Sequence, residues 1–259
     1  MIKKGILYYD ARRKFPWRSL FSWLLVAVLI PVSLTAYVLL TLPEITNLET
    51  QVPQLTSFMK YRQRQAAKKG EAYSVRCEWV DFDRIPPLFK EAVRITEDAG
   101  FYWHKGIDME ELKESIKRDW NEWRFVRGGS TITQQLAKNL YLSPQRNPVR
   151  KLREIFIARR LESTLSKERI FSLYLNLIEF GPGLFGVQAA SRHYFSKDVS
   201  DLSMEEIVRL TAIIPRPLLH NPRFSGKWFN WRCRYILGKL KLYKKIGEED
   251  YQSLIGTFK

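Results

Sequence analysis

The longest apolar run of the chain lies near its N-terminus. Residues 20–42 contain no charged side chain and consist mainly of Leu, Val, Ile, Ala, Phe and Trp. At about 1.5 Å per residue, a helix of this length would extend roughly 34 Å, slightly more than the ~30 Å hydrocarbon core of a bilayer. Pro31 lies in its middle, and transmembrane helices tolerate such a kink. The pattern therefore predicts a transmembrane anchor over residues 19–43.

Beyond the anchor, apolar positions recur with helical rather than strand spacing. Residues 44–76 are polar and basic and predict a juxtamembrane segment, part helix and part linker, near the membrane surface. Further helices are predicted from Pro86-Pro87 to Glu97, over 108–124, from Asn147-Pro148 to about Glu162, from Ser166 to Gly181-Pro182-Gly183, and from Ser203 to about Pro215. Because no run alternates with a period of two, the fold class is predicted to be mainly α.

The charges that flank the apolar run predict its orientation. Six Lys or Arg residues and one acid, Asp10, precede it, whereas the first base after it is Lys60. By the positive-inside rule, the tail of residues 1–18 stays in the cytoplasm and the rest of the chain is exported. A cleaved signal peptide is the alternative, but the run is longer than a signal's ~7–15 apolar residues and lacks an A-x-A-like exit.

Positive charge dominates the exported part of the chain. The formal net charge is +16, and +11 remains when the tail's six bases and one acid are set aside. Such a domain beside a bilayer favours anionic lipid headgroups or a phosphorylated substrate, and the predicted topology keeps it away from nucleic acid. Cys77 and Cys233 have no metal-ligand spacing, and one disulfide or two buried thiols are both compatible with the sequence.

Residues 226–259 are predicted to form a C-terminal helix that combines bases with aromatic rings. Residues 223–245 hold eight Lys or Arg and no acid, interleaved with rings such as Trp228, Trp231 and Tyr235. A basic aromatic helix of this kind can dock on a membrane interface. A solvated terminal helix whose rings face the core fits the pattern equally well, so both interpretations stand.

A carboxylate pair, Glu97 and Asp98, precedes a run of aromatic residues. Burial against rings and a neighbouring acid would raise the pKa of Glu97 towards working pH, which suits a group that removes a proton from a sugar hydroxyl. Taken alone, a solvated acidic pair explains the same residues. His104 alone is typical of a structural hydrogen-bonding residue.

The segment 128–139, with the sequence GGSTITQQLAKN, is the most informative stretch of the chain. Its glycine pair lets the backbone approach a ligand closely, and Ser130 or Thr131 can cap the helix that follows. The helix N-terminus and Lys138 together favour phosphate. An ordinary capped helix is the alternative, but amides and a lysine in this order favour ligand binding.

Arg150 and Glu154 are four residues apart and share one helix face. A surface ion pair, worth only ~0.3–0.5 kcal/mol, would explain them. Alternatively, the Arg150 guanidinium binds a diphosphate at two points, while Glu154 orients Arg150 or helps to hold a divalent cation. This pattern by itself favours the surface ion pair.

Together these motifs resemble, in order and spacing, those of the family 51 glycosyltransferases, which polymerise peptidoglycan from lipid II. The family's motifs are E-D-x-x-F-x-x-H-x-G, G-G-S-T-[IL]-T-Q-Q-x-x-K-N, R-K-x-x-E and I-x-x-x-Y-L-N-x-x-x-x-G. They match residues 97–106, 128–139, 150–154 and 170–181. The resemblance covers roughly residues 80–225, and the domain is predicted over 77–225. It implies a lysozyme-like catalytic lobe with a smaller membrane-associated lobe.

The resemblance also implies a reaction at the periplasmic face of the bacterial inner membrane. Glu97 matches the general base that takes the proton from the GlcNAc 4-hydroxyl of lipid II. That oxygen attacks the lipid-linked growing chain with inversion and expels undecaprenyl diphosphate. Glu154 is the second residue expected to be catalytic, and with Lys138 and Arg150 it matches positions at the donor's diphosphate and sugar. The expected substrate-binding residues are Asp98, Phe101, His104, Ser130, Thr131, Gln134, Gln135, Lys138, Asn139 and Arg150.

The partners and cofactors implied by the resemblance are few. It implies no obligatory cofactor and leaves a contribution from Mg²⁺ or Mn²⁺ open. The expected partners are lipid II, the lipid-linked glycan chain and the membrane, with other cell-wall synthesis or division proteins as further candidates and no nucleic acid. Trp120, Trp123 and Phe125 are expected to contact lipid. Two positions depart from the family's pattern, because Ser172 replaces a common Glu and Glu179 a common Tyr.

No K-T-G motif and no second large domain follow in the chain, so a monofunctional enzyme without a transpeptidase domain is expected.

Two other classes of function are alternatives to a polymerase. A membrane-bound muramidase or lytic transglycosylase is the alternative, since it shares a lysozyme-like lobe and a catalytic Glu. Cleavage needs no diphosphate site, however, and Lys138 and Arg150 argue against it. A non-catalytic scaffold of the division or elongation machinery is the third hypothesis.

Overall fold

The computed structural model describes residues 17–114, 129–145 and 147–259, and the chain divides into two compact units, residues 1–42 and 43–259. In the first unit, helix α1 spans Trp17–Leu40 and includes Pro31. Its stretch Phe21–Leu40 has a mean hydropathy of 2.4, and among the described residues it is the one helix long and apolar enough to cross a membrane. The predicted N-terminal apolar helix is therefore confirmed.

The second unit is mainly helical, as predicted. Its helices are α2 (Ser57–Lys68), α3 (Pro87–Glu97), α4 (Ile132–Tyr141), α5 (Pro148–Thr164), α6 (Lys167–Leu177), α7 (Val187–Phe195), α8 (Met204–Ile213), α9 (Lys227–Leu242) and α10 (Glu248–Ile255). Residues 109–114, part of the helix predicted over 108–124, are also helical. The predicted lipid contacts Trp120, Trp123 and Phe125 lie outside the described residues, as does Gly128.

Side-chain caps fix the helix starts that the sequence predicted. Asn147 accepts a hydrogen bond from the backbone N–H of Arg150 at the start of α5, and Ser166 caps α6 in the same way. Ser203 and Glu206 form a reciprocal capping box at the start of α8. Each cap satisfies backbone N–H groups that have no partner within the helix.

Three very short strands form a small sheet beside the helices. They are β1 (Arg76–Cys77), β2 (Glu179–Gly181) and β3 (Leu184–Phe185), in the order β1-β3-β2. β3 pairs in parallel with β1 and antiparallel with β2. Strands of two or three residues are too short to show a period in the sequence. Because the chain enters β2 at Glu179, α6 ends at Leu177, earlier than the glycines at 181 and 183 suggested.

Helix α4 lies at the centre of the second unit, in contact with α2, α5 and α6, while α3 packs against α8 and α9. The side chains of Phe89, Phe171 and Tyr174 are fully buried in this core. Asn176 ties α6 to the loop before α3, because its amide accepts from the N–H of Val80 at 2.9 Å and donates to the same residue's carbonyl at 3.0 Å. These two hydrogen bonds hold the loop before α3 against α6.

The segments on either side of the predicted domain pack onto it. The Arg169 side chain donates to the carbonyl oxygens of Leu48 and Gln51 at 2.8 and 2.9 Å, which ties down the stretch before α2. The single C-terminal helix predicted over residues 226–259 is instead two helices, α9 and α10. One face of α9 is buried, including Phe229 and Cys233, so the core-facing interpretation holds for that face, while Trp231 on the same helix is 52% exposed. The disulfide alternative is wrong, because both cysteines are free, and the alternative of two buried thiols holds for Cys233 alone, because Cys77 is exposed.

Candidate active site

A buried carboxylate joins α3 to α4. Asp98, 1% exposed, accepts hydrogen bonds from the backbone N–H of Ile132 at 2.9 Å and from Nε2 of His104 at 3.0 Å. The backbone N–H of Gly106 donates to the other ring nitrogen of His104 at 3.1 Å. His104 therefore carries its proton on Nε2 and donates it to Asp98. This network holds Glu97, the neighbour of Asp98, beside the first turn of α4.

Thr131 and Gln134 form the N-terminal cap of α4. The Thr131 hydroxyl accepts from the backbone N–H of Gln134 at 3.1 Å, and the Gln134 amide oxygen accepts from the N–H of Thr131 at 3.1 Å. Thr131 also donates to the carbonyl of Gly106 at 2.7 Å. Both side chains are thus occupied within the protein, and their contact with substrate stays a prediction.

Phe101 lies in the protein core and does not line the cleft described below. Its ring is fully buried and lies 5.4 Å from the ring of Phe171, while the Lys167 ammonium lies 4.4 Å from its centroid. The aromatic residue of the carboxylate motif therefore packs in the core. A direct contact with substrate, which the sequence led us to expect, stays a prediction.

Glu97 lies at the end of α3 and contacts side chains from two other helices, α4 and α9. Gln135 of α4 donates from Nε2 to its Oε2 at 3.3 Å, and the buried Tyr174 of α6 donates to Gln135 Oε1 at 3.1 Å. Arg232 of α9 donates from Nη2 to its Oε1 at 3.0 Å. Tyr174 orients the Gln135 amide, and the amide in turn fixes the carboxylate.

The electrostatics of this pocket suit a proton acceptor. Burial raises the pKa of Glu97, and the positive charge of Arg232, the Gln135 hydrogen bond and the charge of Lys138 oppose that rise. A carboxylate with a raised pKa is a stronger base than an exposed one while it stays ionised near neutral pH. Burial also raises the pKa of Tyr174 well above its usual value, so this hydroxyl keeps the proton that it donates.

Cations surround a second buried carboxylate, Glu154 of α5. Arg150 Nη1 lies 2.6 Å from one of its oxygens and Lys151 Nζ 2.5 Å from the other. Glu154 is 3% exposed, so the Arg150–Glu154 pair is not the solvated surface pair that the spacing favoured. Burial lowers the pKa of Lys138, with Arg150 and Lys151 acting in the same direction and Glu154 opposing them. Three cations therefore crowd around one acid, which leaves positive charge for an anionic ligand.

One cleft, about 600 Å³ in volume, joins these groups. Ser130, Gln134, Gln135, Lys138, Asn139, Arg150 and Glu154 line it, together with Phe58, Arg62, Pro144, Lys151, Ile178, Glu179 and residues 214–219. Glu97 lies behind Gln135, whose amide contacts it directly. The cleft thus brings the predicted cationic residues together, whereas Glu97 lies one side chain behind its wall and Asp98, Phe101 and His104 do not line it either.

Two cationic residues, Arg232 and Arg62, were missed by the sequence motifs. Arg232 contacts Glu97 from the C-terminal helix, and Arg62 of α2 forms a two-point ion pair with Glu179. The basic composition of both segments signalled cations, but nothing in the sequence showed which carboxylate each would meet.

The donors available for a metal ion are limited. Among the described residues, no group of three or more His, Cys, Asp and Glu side chains is placed to hold one. Both oxygens of Glu154 accept from cationic side chains, which does not fit a role as a metal ligand.

Comparison with known proteins places the chain in a family. The model of the transglycosylase family matches residues 63–241, and the chain belongs to this family. The resemblance seen in the motifs is therefore confirmed.

Several proteins that are similar to this chain share one name. The chain is 42% identical over 185 residues to a protein named biosynthetic peptidoglycan transglycosylase from Thiobacillus denitrificans, covering 71% of this chain and 79% of the relative. Proteins of the same name from Nitrosospira multiformis (38% identity, covering 73% of this chain and 82% of the relative) and Herminiimonas arsenicoxydans (35%, 86% and 96%) are also similar. A crystal structure of penicillin-binding protein 1A from Haemophilus influenzae aligns with 72% of this chain and 18% of that one, at 20% identity and a TM-score of 0.41.

Proposed function

We propose that this protein polymerises the glycan strands of peptidoglycan. It would transfer the lipid-linked growing chain onto the GlcNAc 4-hydroxyl of lipid II with inversion and release undecaprenyl diphosphate. The observation that carries the proposal is the position of Glu97, one amide away from a cleft that Lys138, Arg150 and Glu154 line. The family and the names of the relatives support the same class of reaction.

In this mechanism Glu97 accepts the proton of the attacking hydroxyl. The acceptor oxygen forms a bond to the anomeric carbon of the donor as the bond from that carbon to the diphosphate breaks. Gln135 and Tyr174 hold the carboxylate in place, and Arg232 must release Oε1 before it can take the proton. A partly buried general base of this kind contributes about 10²–10⁴-fold to the rate.

Lys138 and Arg150 stabilise the leaving group. Negative charge increases on the diphosphate as the bond breaks, and cationic donors fixed in a partly buried cleft stabilise it without reorganising. Glu154 holds Arg150 and Lys151 at 2.6 and 2.5 Å, so its part in the reaction is to position those cations. A hydrolase would have no need of such a cradle, which favours transfer over cleavage of the glycan.

The setting that we propose is the bacterial inner membrane. The apolar helix Phe21–Leu40 would anchor the chain, with the basic tail in the cytoplasm and the catalytic unit in the periplasm. Lipid II, the lipid-linked chain and the bilayer would be its partners, and other cell-wall synthesis or division proteins are further partners consistent with a membrane anchor.

Incubation of the purified full-length protein with labelled lipid II tests this function. Formation of polymer together with release of undecaprenyl diphosphate is the expected result. Digestion of isolated sacculi without polymer would instead identify a muramidase or lytic transglycosylase. Absence of both activities, in a protein whose Glu97→Gln variant still supports growth, would identify a scaffold.

A further inference from the structure

Arg62 and Glu179, which both line the cleft, form an ion pair with each other. Arg62 of α2 donates from Nε to Glu179 Oε1 at 2.8 Å and from Nη2 to Oε2 at 2.7 Å. The Arg62 guanidinium also lies 5.0 Å from the ring centroid of Phe58. All three side chains line the same cleft as Lys138 and Arg150.

Neither member of this pair is one of the fixed positions of the shared motifs. Arg62 lies just before residue 63, where the match to the family model begins. Glu179 occupies a position where the family's pattern commonly has Tyr. The pair therefore adds one cation and one anion to the cleft that the shared motifs do not account for.

The two partners differ in their access to the cleft. The Arg62 side chain is 26% exposed, whereas that of Glu179 is 6% exposed. A ligand in the cleft can therefore reach the guanidinium more readily than the carboxylate. The two parallel N–H groups that bind the carboxylate have the geometry that also binds a phosphate group at two points.

A second cation can compensate Glu179 when its partner leaves. Burial raises the pKa of Glu179, while the charges of Arg62 and Lys138 oppose that rise, so Lys138 acts on Glu179 as well. A carboxylate that already feels this second cation can give up Arg62 without being left alone in a buried site. Arg62 is thus suited to exchange the Glu179 carboxylate for another anion.

We propose that Arg62 is a diphosphate-binding residue of this cleft, held by Glu179 in the free enzyme and transferred to the diphosphate of the lipid-linked substrate when it binds. This assignment rests on the proposed function, because it names a further contact for the same substrate. It makes the juxtamembrane helix α2 part of the substrate-binding site.

Opposite effects of substitutions at the two partners are the signature of such an exchange. Arg62→Gln should weaken binding of undecaprenyl diphosphate to the full-length protein in detergent about tenfold, the loss typical of one charge-assisted contact. Glu179→Gln should tighten binding several-fold, because Arg62 no longer has a competing anion. Arg62→Lys, which keeps the charge but loses the fork, should lie between wild type and Arg62→Gln.

Arg64→Gln is the matched control, because Arg64 is an exposed arginine on the same helix and does not line the cleft. It should bind undecaprenyl diphosphate as wild type does. The proposal is wrong if Arg62→Gln and Glu179→Gln both lower the melting temperature and shift the dissociation constant in the same direction. It is also wrong if both lower the melting temperature and leave the dissociation constant unchanged. In either case the ion pair only stabilises the fold. If Glu179→Gln does not fold, a wild-type dissociation constant for Arg62→Lys and Arg62→Gln overturns it equally.

The ligand and the proposed function are tested separately. Undecaprenyl diphosphate carries neither sugar nor peptide, so weakened binding of lipid II alone by Arg62→Gln would assign Arg62 to the disaccharide-peptide part of the substrate and contradict the proposal. Polymer formation by the wild-type protein reports on the proposed function without reference to Arg62. If the wild-type protein polymerises lipid II and Arg62→Gln binds undecaprenyl diphosphate as wild type does, the proposed role of Arg62 is refuted and the proposed function stands.

Discussion

Arg232 Nη2 lies 3.0 Å from Glu97 Oε1, although the two residues are 135 positions apart in the chain. The guanidinium Nε of Arg232 is buried and has no hydrogen-bond partner among the described residues. The contact is therefore an incomplete ion pair that occupies one oxygen of the proposed base. Because a base paired with a cation accepts a proton poorly, we infer that Arg232 and Glu97 separate when substrate binds.

The pH dependence of the reaction tests this separation. The groups facing Glu97 are Arg232 of α9, Gln135 and Lys138 of α4, and Tyr174 of α6. Arg232 lowers the pKa of Glu97, so Arg232→Gln should raise it. Since the base acts only when deprotonated, the acid limb of kcat/KM, which reports the free enzyme, should move to higher pH.

The corresponding limb of kcat, which reports the substrate complex, should stay where it is in wild type if Arg232 has already moved away. Equal shifts in both limbs would mean that the ion pair persists during turnover. Arg234→Gln serves as the control, because Arg234 lies on the same helix and donates instead to the carbonyl of Phe258. Neither limb should shift in that variant.

Tyr174→Phe tests whether the Gln135 amide positions the base. The substitution removes the hydroxyl that donates to Gln135 Oε1 at 3.1 Å and keeps the ring in the core. We expect kcat to fall about three- to tenfold, with a loss of about 1 kcal/mol in the free energy of unfolding. Tyr194→Phe, which removes a hydroxyl bonded to the carbonyl of Phe180, should cost similar stability at unchanged kcat. Equal kcat values in the two variants would contradict the positioning role.

A backbone test concerns the turn that leads into α7. Gly186 has φ +81°, and a Cβ atom there would lie 2.5 Å from the carbonyl oxygen of Asn176. Gly186→Ala should therefore lower the free energy of unfolding by about 2 kcal/mol or more, as measured by urea titration. Gly238 in α9 has nothing within 4 Å of the same position, so Gly238→Ala should stabilise the protein by about 0.5–1 kcal/mol. Similar effects at both glycines would rule out the close approach at Gly186.

Local features were predictable from the sequence, whereas long-range pairings were not. Asn147, Ser166 and Ser203 cap their helices as expected, because a cap depends on residues within one turn. Arg232 and the Arg62–Glu179 pair escaped prediction, since those partners lie 135 and 117 positions apart and meet only through packing.

The character of two predicted elements also depended on packing. The Arg150–Glu154 spacing favoured a weak surface pair, and only the buried environment of Glu154 shows otherwise. The basic helix α9 was compatible with either the membrane or the core, and the burial of Phe229 and Cys233 places one of its faces in the core. Periodicity identifies a helix, but the neighbours of that helix decide what its charges do.

Turnover and binding of lipid II by Glu97→Gln test the central claim most directly. The amide keeps the shape of the side chain but accepts no proton, so kcat for polymerisation should fall at least about a hundredfold while the dissociation constant for lipid II stays within about threefold of wild type. Glu91→Gln on the same helix, whose carboxylate pairs with Arg94 and Lys245, should polymerise normally. Polymerisation by Glu97→Gln at a rate near that of wild type would contradict the account.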